Sequence, residues 1–308
     1  MAITSDWHIH TKYSCDSACM EYETLVSEMK KLGITDYGVT DHYHTRIQEP
    51  DIAASRKEYE ITMEKYPELE GHFHFGIEAT IISQWEVDKI ARGDYTELPV
   101  YGFRSGGPAN APIMFDFDED FLEKYKIEYV VSGMHWPMYC ATDLDSVLKE
   151  YHRQYMFAAT HPYTRIMAHY LWFDINLFRN VWNIPDYEDP FLDFSVIPQG
   201  MKSEIKAAML ENNVAFELNN CFFKSEIKAA MIENNVAFDP DNCFFKSVYP
   251  EHFCSSYLDW VSELQSSGVQ ISMGSDCHAK KVSDSCDYSK IDDLCLKHGI
   301  NTSAFLCL

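Results

Sequence analysis

Basic side chains are scarce in this sequence. Its 25 Lys and Arg residues stand against 48 Asp and Glu residues, which leaves a formal net charge of -23 at neutral pH. A surface of this charge repels nucleic acid backbones and anionic membranes at long range, so neither a membrane nor long nucleic acid is an expected partner. A small anionic substrate remains compatible, because metal ions bound in a site reverse the local field.

Long apolar runs and cysteine motifs are missing as well. No stretch is long and apolar enough to cross a membrane, and no basic segment followed by an apolar one marks a secretion signal. The ten cysteines form no CxxC pair, and a chain of 308 residues needs no disulfide framework. We therefore expect a soluble cytoplasmic protein with reduced thiols and a sizeable hydrophobic core.

A pair of histidines stands near the amino end, in the stretch Asp6-Trp7-His8-Ile9-His10. Side chains of a β-strand alternate between its two faces, so His8 and His10 project from the same side and can hold one ion. Polar residues and then a helical pattern follow. This predicts a first strand that ends in a ligand-bearing loop.

Strand-like and helix-like patterns then alternate along the chain. The predicted strands are 34–40, 73–81, 129–132, 165–168, 214–218 and 269–274, and the predicted helices are 22–32, 52–66, 143–158, 204–212 and 255–266. Residues 85–103 are mixed and suggest a hairpin, and 104–112 is a Gly/Pro-rich loop. About seven strand-then-helix units without a glycine fingerprint predict an α/β fold with a parallel barrel, in a single domain spanning 1–308.

Residues that commonly bind metals recur where these strands end. The set is His8, His10, Asp16, His42, Glu78, His135, His169, Asp276 and His278. In parallel barrels the chemistry collects at the carboxyl ends of the strands. Nine imidazoles and carboxylates suit two to three borderline or hard divalent ions such as zinc, manganese or iron.

One segment is present twice in tandem. Residues 202–223 (KSEIKAAMLENNVAFELNNCFF) recur almost verbatim as 224–245 (KSEIKAAMIENNVAFDPDNCFF). The second copy replaces Glu217-Leu218-Asn219 with Asp239-Pro240-Asp241, and proline cannot donate to a sheet ladder. We expect the first copy to supply the barrel strand and the second to form a surface excursion, although the reverse arrangement stays open.

The chain resembles the PHP family, named for polymerase and histidinol phosphatase domains, over nearly its whole length apart from the duplicated segment. The resemblance lies in DWHIHTKYS, VTDH, SGMHW and GSDCH, and the run YHRQYMFAATHPYTRIMAHYLWFD resembles the histidinol-phosphatase branch. It implies a distorted (β/α)7 TIM-like barrel with a trinuclear metal site.

The resemblance also implies how the ligands are shared. One ion would be held by His8, His10, Glu78 and Asp276, a second by Glu78, His135 and His169, and a third by Asp16, His42 and His278. Asp16 departs from the family, which often has a histidine there. Tyr170 follows His169 where the family often has a proline.

Some positions leave alternatives open. His161, followed by Pro162, is the alternative to His169, which we favour because Arg-Ile-Met-Ala precedes it as a strand would. His44 is expected to be exposed or to lie behind the ligands. Glu217 is expected to have a structural role.

The function that this resemblance implies is hydrolysis of a small phosphomonoester. The expected substrate is L-histidinol phosphate or a related compound, attacked by a hydroxide that bridges the ions, with Asp276, His278 and Glu78 as catalytic residues. Phosphate also needs cationic contacts, for which the basic residues near strand ends are Arg165, Arg104, Arg46 and Lys281. The alternatives are a phosphodiesterase or exonuclease acting on short nucleotides or cyclic phosphates, and an inactive metal-binding barrel.

Overall fold

The computed structural model describes residues 3–16, 18–94, 106–170, 193–220, 223 and 249–308. Its centre is a sheet of seven parallel strands in the order β1-β2-β3-β6-β7-β8-β9. These strands are β1 (Ser5–Asp6), β2 (Asp36–Tyr43), β3 (Phe73–Thr80), β6 (Tyr129–Gly133), β7 (Thr164–Met167), β8 (Ala215–Asn219) and β9 (Ile271–Gly274). A short antiparallel pair, β4 (Ile82–Ser83) and β5 (Ile113–Met114), lies outside this sheet.

The sheet curls until its first and last strands meet. The amide of Trp7 donates to the carbonyl of Met273 at 3.0 Å, and Ile9 forms a parallel bridge with Cys277. This nearly closed barrel confirms the predicted fold class, a distorted (β/α)7 barrel. Because both faces of its strands are covered, the strands are buried along nearly their whole length.

Eight α-helices surround the barrel within the described residues. They are α1 (Tyr22–Leu32), α2 (Glu49–Lys65), α3 (Gln84–Ala91), α4 (Glu119–Tyr125), α5 (Leu144–Thr160), α6 (Gln199–Asn212), α7 (Glu251–Ser266) and α8 (Tyr288–Lys297). The predicted helix 22–32 ends at Gly33, whose φ of +73° is the left-handed conformation that glycine adopts at low cost. No helix in these ranges is long and apolar enough to span a bilayer.

The predicted hairpin over 85–103 is wrong where the chain is described. Residues Gln84–Ala91 form helix α3, whose first turn is capped by the side chain of Ser83. This helix buries Glu86, Val87 and Ile90, which lie on one face at helical spacing. The rest of the expected hairpin, 95–103, lies outside the described residues.

The first copy of the tandem segment forms helix α6 and strand β8. Strand β8 pairs with β7 through Ala215 and Phe216 and with β9 through four residues, of which the last pair is Asn219 and Gly274. The expectation that the first copy supplies the barrel strand is therefore confirmed. The second copy, 224–245, lies outside the described residues.

Candidate metal centre

The nine ligand-type residues predicted from the sequence gather at the carboxyl ends of the strands. His8 and His10 follow β1, His42 and Glu78 lie near the ends of β2 and β3, and the others follow later strands. Their side chains converge because parallel strands of a barrel end at one rim. The two histidines of the first motif do project together, with 3.0 Å between their Nε2 atoms.

Glu78 is the centre of this cluster and is fully buried. Its two carboxylate oxygens lie within 3.4 Å of ring nitrogens from five histidines. The distances are 3.2 Å to His8 Nε2, 3.4 Å to His10 Nε2, 2.8 Å to His42 Nδ1, 3.4 Å to His135 Nε2 and 2.8 Å to His169 Nε2. The carboxylate has room because Gly133 stands beside it, where a Cβ atom would lie 2.2 Å from Oε1. One carboxylate shared by so many imidazoles can bridge two ions.

Asp16 joins the cluster from the loop after β1. Its Oδ2 atom lies 3.1 Å from His42 Nε2 and 2.5 Å from His278 Nε2. The rings of His10 and His278 stack, with 4.1 Å between their centroids. Asp16 thus sits between the two histidines with which it was predicted to act.

Asp276 closes the other side of the cluster. Its Oδ1 atom lies 3.4 Å from His10 Nε2 and 3.4 Å from His278 Nδ1. The φ angle of Asp276 is +49°, a left-handed backbone conformation that is uncommon for residues other than glycine. His169 has the same property, with a φ of +27°. Such conformations persist only where the surrounding structure holds them, and they are concentrated at functional sites.

The donor atoms are close enough to share ions. Three sets of three have ligand atoms that all lie within 4.8 Å of one another, and these sets are His10, His42 and His278; His8, His10 and Glu78; and His42, Glu78 and His135. Imidazole nitrogens with carboxylate oxygens are the donors that zinc prefers and that iron and manganese accept. The residues present therefore fit a site for several divalent cations.

Protonation of the cluster follows from burial and from its carboxylates. Burial, together with His278 and His42, lowers the pKa of His10 to about 3, so this ring is neutral and keeps a lone pair for a cation. Burial alone would also lower the pKa of His8, but Glu217, Glu78 and Asp276 raise it well above its usual range. The carboxylates around His8 thus favour the protonated form of its ring.

Further side chains hold the ligand-bearing loops in place. Asp41 accepts hydrogen bonds from the backbone and hydroxyl of Thr11, at 2.6 and 2.7 Å, which fixes the loop that follows His10. His44 is buried, and its Nδ1 atom hydrogen-bonds the hydroxyl of Thr80, which also lies 3.1 Å from His135 Nδ1. Asp41 belongs to the VTDH motif and Thr80 to no motif, but neither residue's partners could be predicted from the sequence, because these contacts join neighbouring strand ends.

The structure brings His169 to the cluster and places His161 elsewhere. His161 follows α5 and precedes β7, so it lies at the amino end of that strand. Its ring packs against Phe115 and Phe157, with 4.8 Å between centroids in each pair. Of the two alternatives, only His169 contacts Glu78.

Arg165, one of the four predicted phosphate contacts, does not lie near the cluster. Arg165 lies near the amino end of β7, where its guanidinium donates to the carbonyl of Asn213 at 2.9 Å and to Gln270 Oε1 at 3.0 Å. Both partners precede their own strands, so Arg165 lies at the amino rim of the barrel, away from the cluster, and its predicted phosphate contact is wrong. A position near a strand end in the sequence does not tell which rim the side chain reaches.

The other three predicted cations remain compatible or untested. Arg46 follows β2 at the carboxyl rim, but its guanidinium is paired with Asp116, the Nε atom lying 3.0 Å from Oδ1. Lys281 is exposed in the loop after β9, three residues beyond His278. Arg104 lies outside the described residues.

Comparisons with known proteins identify similar folds. The chain resembles a histidinol phosphate phosphatase from Lactococcus lactis, solved in complex with zinc, L-histidinol and phosphate, with a TM-score of 0.56 and 16% identity over 97% of this chain and 94% of that one. A second solved structure, a histidinol phosphatase by name, comes from Listeria monocytogenes, with a TM-score of 0.52 and 15% identity over 93% of this chain and 99% of that one. At these identities the likeness establishes the fold.

Sequence comparison gives a shorter match. A protein of Thermotoga maritima named "Probable histidinol-phosphatase" is 38% identical over 61 residues, which make up 20% of this chain and 26% of that relative. The chain thus spans about a quarter of the length of the curated relative that it matches. No family model matches the chain.

Proposed function

We propose that this protein is a metal-dependent phosphomonoesterase that resembles histidinol phosphatases and hydrolyses L-histidinol phosphate to L-histidinol and phosphate. The observation that carries the proposal is the cluster around Glu78, in which five histidine rings surround one buried carboxylate at the carboxyl rim of the barrel. The similar fold solved with zinc, L-histidinol and phosphate supports the same chemistry.

The proposal assigns the ligands as three overlapping sets. His8, His10, Glu78 and Asp276 would hold one ion, Glu78, His135 and His169 a second, and Asp16, His42 and His278 a third. When bound, divalent ions of zinc, manganese or iron type would polarise the phosphoryl oxygens and lower the pKa of a water toward ~7. Each set contains groups that lie within hydrogen-bonding distance of another member, so little rearrangement is needed to bind.

The remaining steps fall to the chain's own residues. In hydrolysis a water oxygen bonds to phosphorus, the bond from phosphorus to the substrate oxygen breaks, and a proton passes from the water to the leaving alkoxide. We propose that Asp276 carries this proton, since its side chain is 15% exposed and still contacts His10 and His278. Lys281, exposed beyond His278, is a cation that can contact the phosphate.

The test is phosphate release from L-histidinol phosphate by protein loaded with zinc or manganese. We expect release by the wild type and its loss in His10→Ala and Asp276→Ala, while His72→Ala keeps full activity. His72 is a suitable control, because it is an exposed histidine paired with Asp36 at the amino ends of β2 and β3. Full activity in both cluster variants would refute the assignment.

A diester substrate separates this function from its main alternative. A phosphodiesterase would release product faster from bis(p-nitrophenyl) phosphate than from p-nitrophenyl phosphate, whereas the proposed enzyme has the opposite preference. Metal-loaded protein that cleaves neither class, nor L-histidinol phosphate, would contradict the proposed activity.

A further inference from the structure

Glu217 lies directly behind the cluster, on strand β8, and is fully buried. Its Oε1 atom lies 2.5 Å from Nδ1 of His8, on the side of the ring that faces away from Glu78. Its Oε2 atom accepts hydrogen bonds from the backbone amide of His169 at 2.7 Å and from the side-chain amide of Asn219 at 2.8 Å. One carboxylate therefore contacts two of the predicted metal ligands at once.

The contact with His8 determines which nitrogen of that ring is available. A carboxylate accepts hydrogen bonds, so Nδ1 of His8 carries the proton and donates to Glu217. The Nε2 atom, 3.2 Å from Glu78 and 3.0 Å from Nε2 of His10, is then the one that would bind a cation once the cation displaces its proton. A histidine oriented by a carboxylate on its far nitrogen is a more basic and better-placed metal ligand.

Glu217 and its neighbour Asn219 also contact His169 and Asp276, the two predicted ligands that have a left-handed backbone conformation. Glu217 accepts from the amide of His169, whose φ is +27°, and Asn219 Nδ2 lies 3.3 Å from Oδ2 of Asp276, whose φ is +49°. Such conformations persist only where the surrounding structure holds them. Space for the carboxylate exists because residue 274 is glycine, where a Cβ atom would lie 2.0 Å from Glu217 Oε1.

We infer that Glu217 and Asn219 form a positioning pair that fixes His8, His169 and Asp276 for metal binding, and that only the first copy of the tandem segment can supply it. The inference rests on the proposed function. In the second copy the corresponding residues are Asp239 and Asp241. Aspartate is one methylene shorter than glutamate, and at the position of Asn219 it offers an acceptor where the neighbouring carboxylates need an amide donor.

The test is the metal affinity of the full-length chain carrying Glu217→Gln. Glutamine keeps the shape but loses the charge, and its amide nitrogen can no longer accept a hydrogen bond. We expect Zn²⁺ affinity, measured by competition with a chromophoric chelator, to fall 10- to 100-fold. The visible absorption spectrum of the Co²⁺-loaded protein should also change, because the loss of the hydrogen bond to Glu217 makes His8 a weaker donor to the ion.

A matched control and a second variant keep the test decisive. Glu211→Gln makes the same change in the same copy on an exposed helical position, and its metal affinity should equal that of the wild type. Asn219→Ala leaves Glu217 in place and removes the link to Asp276, so it should also weaken binding and change the Co²⁺ spectrum. Circular dichroism of the metal-free variants confirms that they fold.

The two proposals fail in different ways. If the wild type binds Zn²⁺ and Glu217→Gln and Asn219→Ala bind it equally tightly with an unchanged Co²⁺ spectrum, the positioning role is refuted and the proposed function stands. If the wild type binds no metal after reconstitution, the proposed function is refuted and this inference falls with it.

Discussion

The tandem segment allows a comparison in which two deletions leave chains of equal length. Removing 224–245 leaves the first copy in place, and removing 202–223 leaves the second. Each deletion takes out 22 residues, and the two products differ at only four positions, which are Leu210/Ile232, Glu217/Asp239, Leu218/Pro240 and Asn219/Asp241. We expect the first product to bind metal as the wild type does, and the second to lose metal binding and much of its stability.

The size of the second effect follows from the contacts of β8. Glu217 accepts hydrogen bonds from three buried donors, and a hydrogen bond to a charged group contributes about 1.5–3 kcal/mol. Allowing for a partial replacement by aspartate, we estimate a loss of about 4 kcal/mol. Proline in place of Leu218 removes an amide donor from a strand that has neighbours on both sides, which adds about 1 kcal/mol more.

A destabilisation of about 5 kcal/mol is large, because whole domains are stable by about 5–15 kcal/mol. With a urea dependence of about 3 kcal/mol per molar, the unfolding midpoint should drop by roughly 1.7 M. The assay is urea unfolding followed by circular dichroism, with metal content by elemental analysis of each purified product. Equal midpoints and equal metal content in the two deletion products would refute the role assigned to Glu217-Leu218-Asn219.

Two further predictions concern metal removal and acid. A strong chelator should abolish phosphate release, and restoring zinc, manganese or iron should recover it with two to three ions per chain by elemental analysis; activity that survives complete metal removal contradicts the mechanism. At the opposite rim, burial would raise the pKa of Glu128, but hydrogen bonds from His74 and the Phe75 amide lower it below its usual 4.5. Because the folded pKa is the lower one, Glu128 stabilises the protein above about pH 4.5, and this contribution disappears as pH falls through the folded pKa. Urea unfolding should therefore show Glu128→Gln less stable than wild type at pH 7 and equally stable in acid.

Much of the barrel and its ligand set could be predicted because both depend on local patterns. A buried strand followed by a polar ligand is visible in the sequence wherever it occurs, and parallel strands necessarily bring their carboxyl ends to one rim. This is why His42, Glu78 and Asp276, which are far apart in the chain, could be placed together in advance. The helical spacing of 22–32 and its terminal glycine gave α1 for the same reason.

The errors arose where a local pattern had two meanings. Trp85 and Val87 alternate as in a strand, but the side chain of Ser83 caps a helix there and Ile90 completes its buried face. Arg165 stands near a strand end, yet the sequence does not say whether a residue at the start of a short strand points to one rim or the other. Its contacts with Asn213 and Gln270 were decided by the loops at the amino ends of β8 and β9.

Glu217 shows a different limit. It shares one face of β8 with Ala215 and Asn219, which indicates that it faces the barrel interior. His8, however, follows β1, which is separated from β8 by β9. The 2.5 Å contact between them exists only because the barrel closes and brings β1 against β9. A residue of this kind can be recognised as inward-facing from the sequence, while its partner can be named only from the closed structure.

The cluster carries several buried negative charges, as the acidic composition of the chain allows. Within the described residues, Asp16, Glu78, Glu217 and Asp276 bring four carboxylates to one rim, and burial of these groups is costly unless positive charge accompanies them. Raised pKa values at His8 and His42 indicate that protons supply part of that charge. Divalent ions can take the place of those protons, since metal binding to imidazole releases them. Cations bound at this rim would offset the buried negative charge and allow an anionic phosphate to approach.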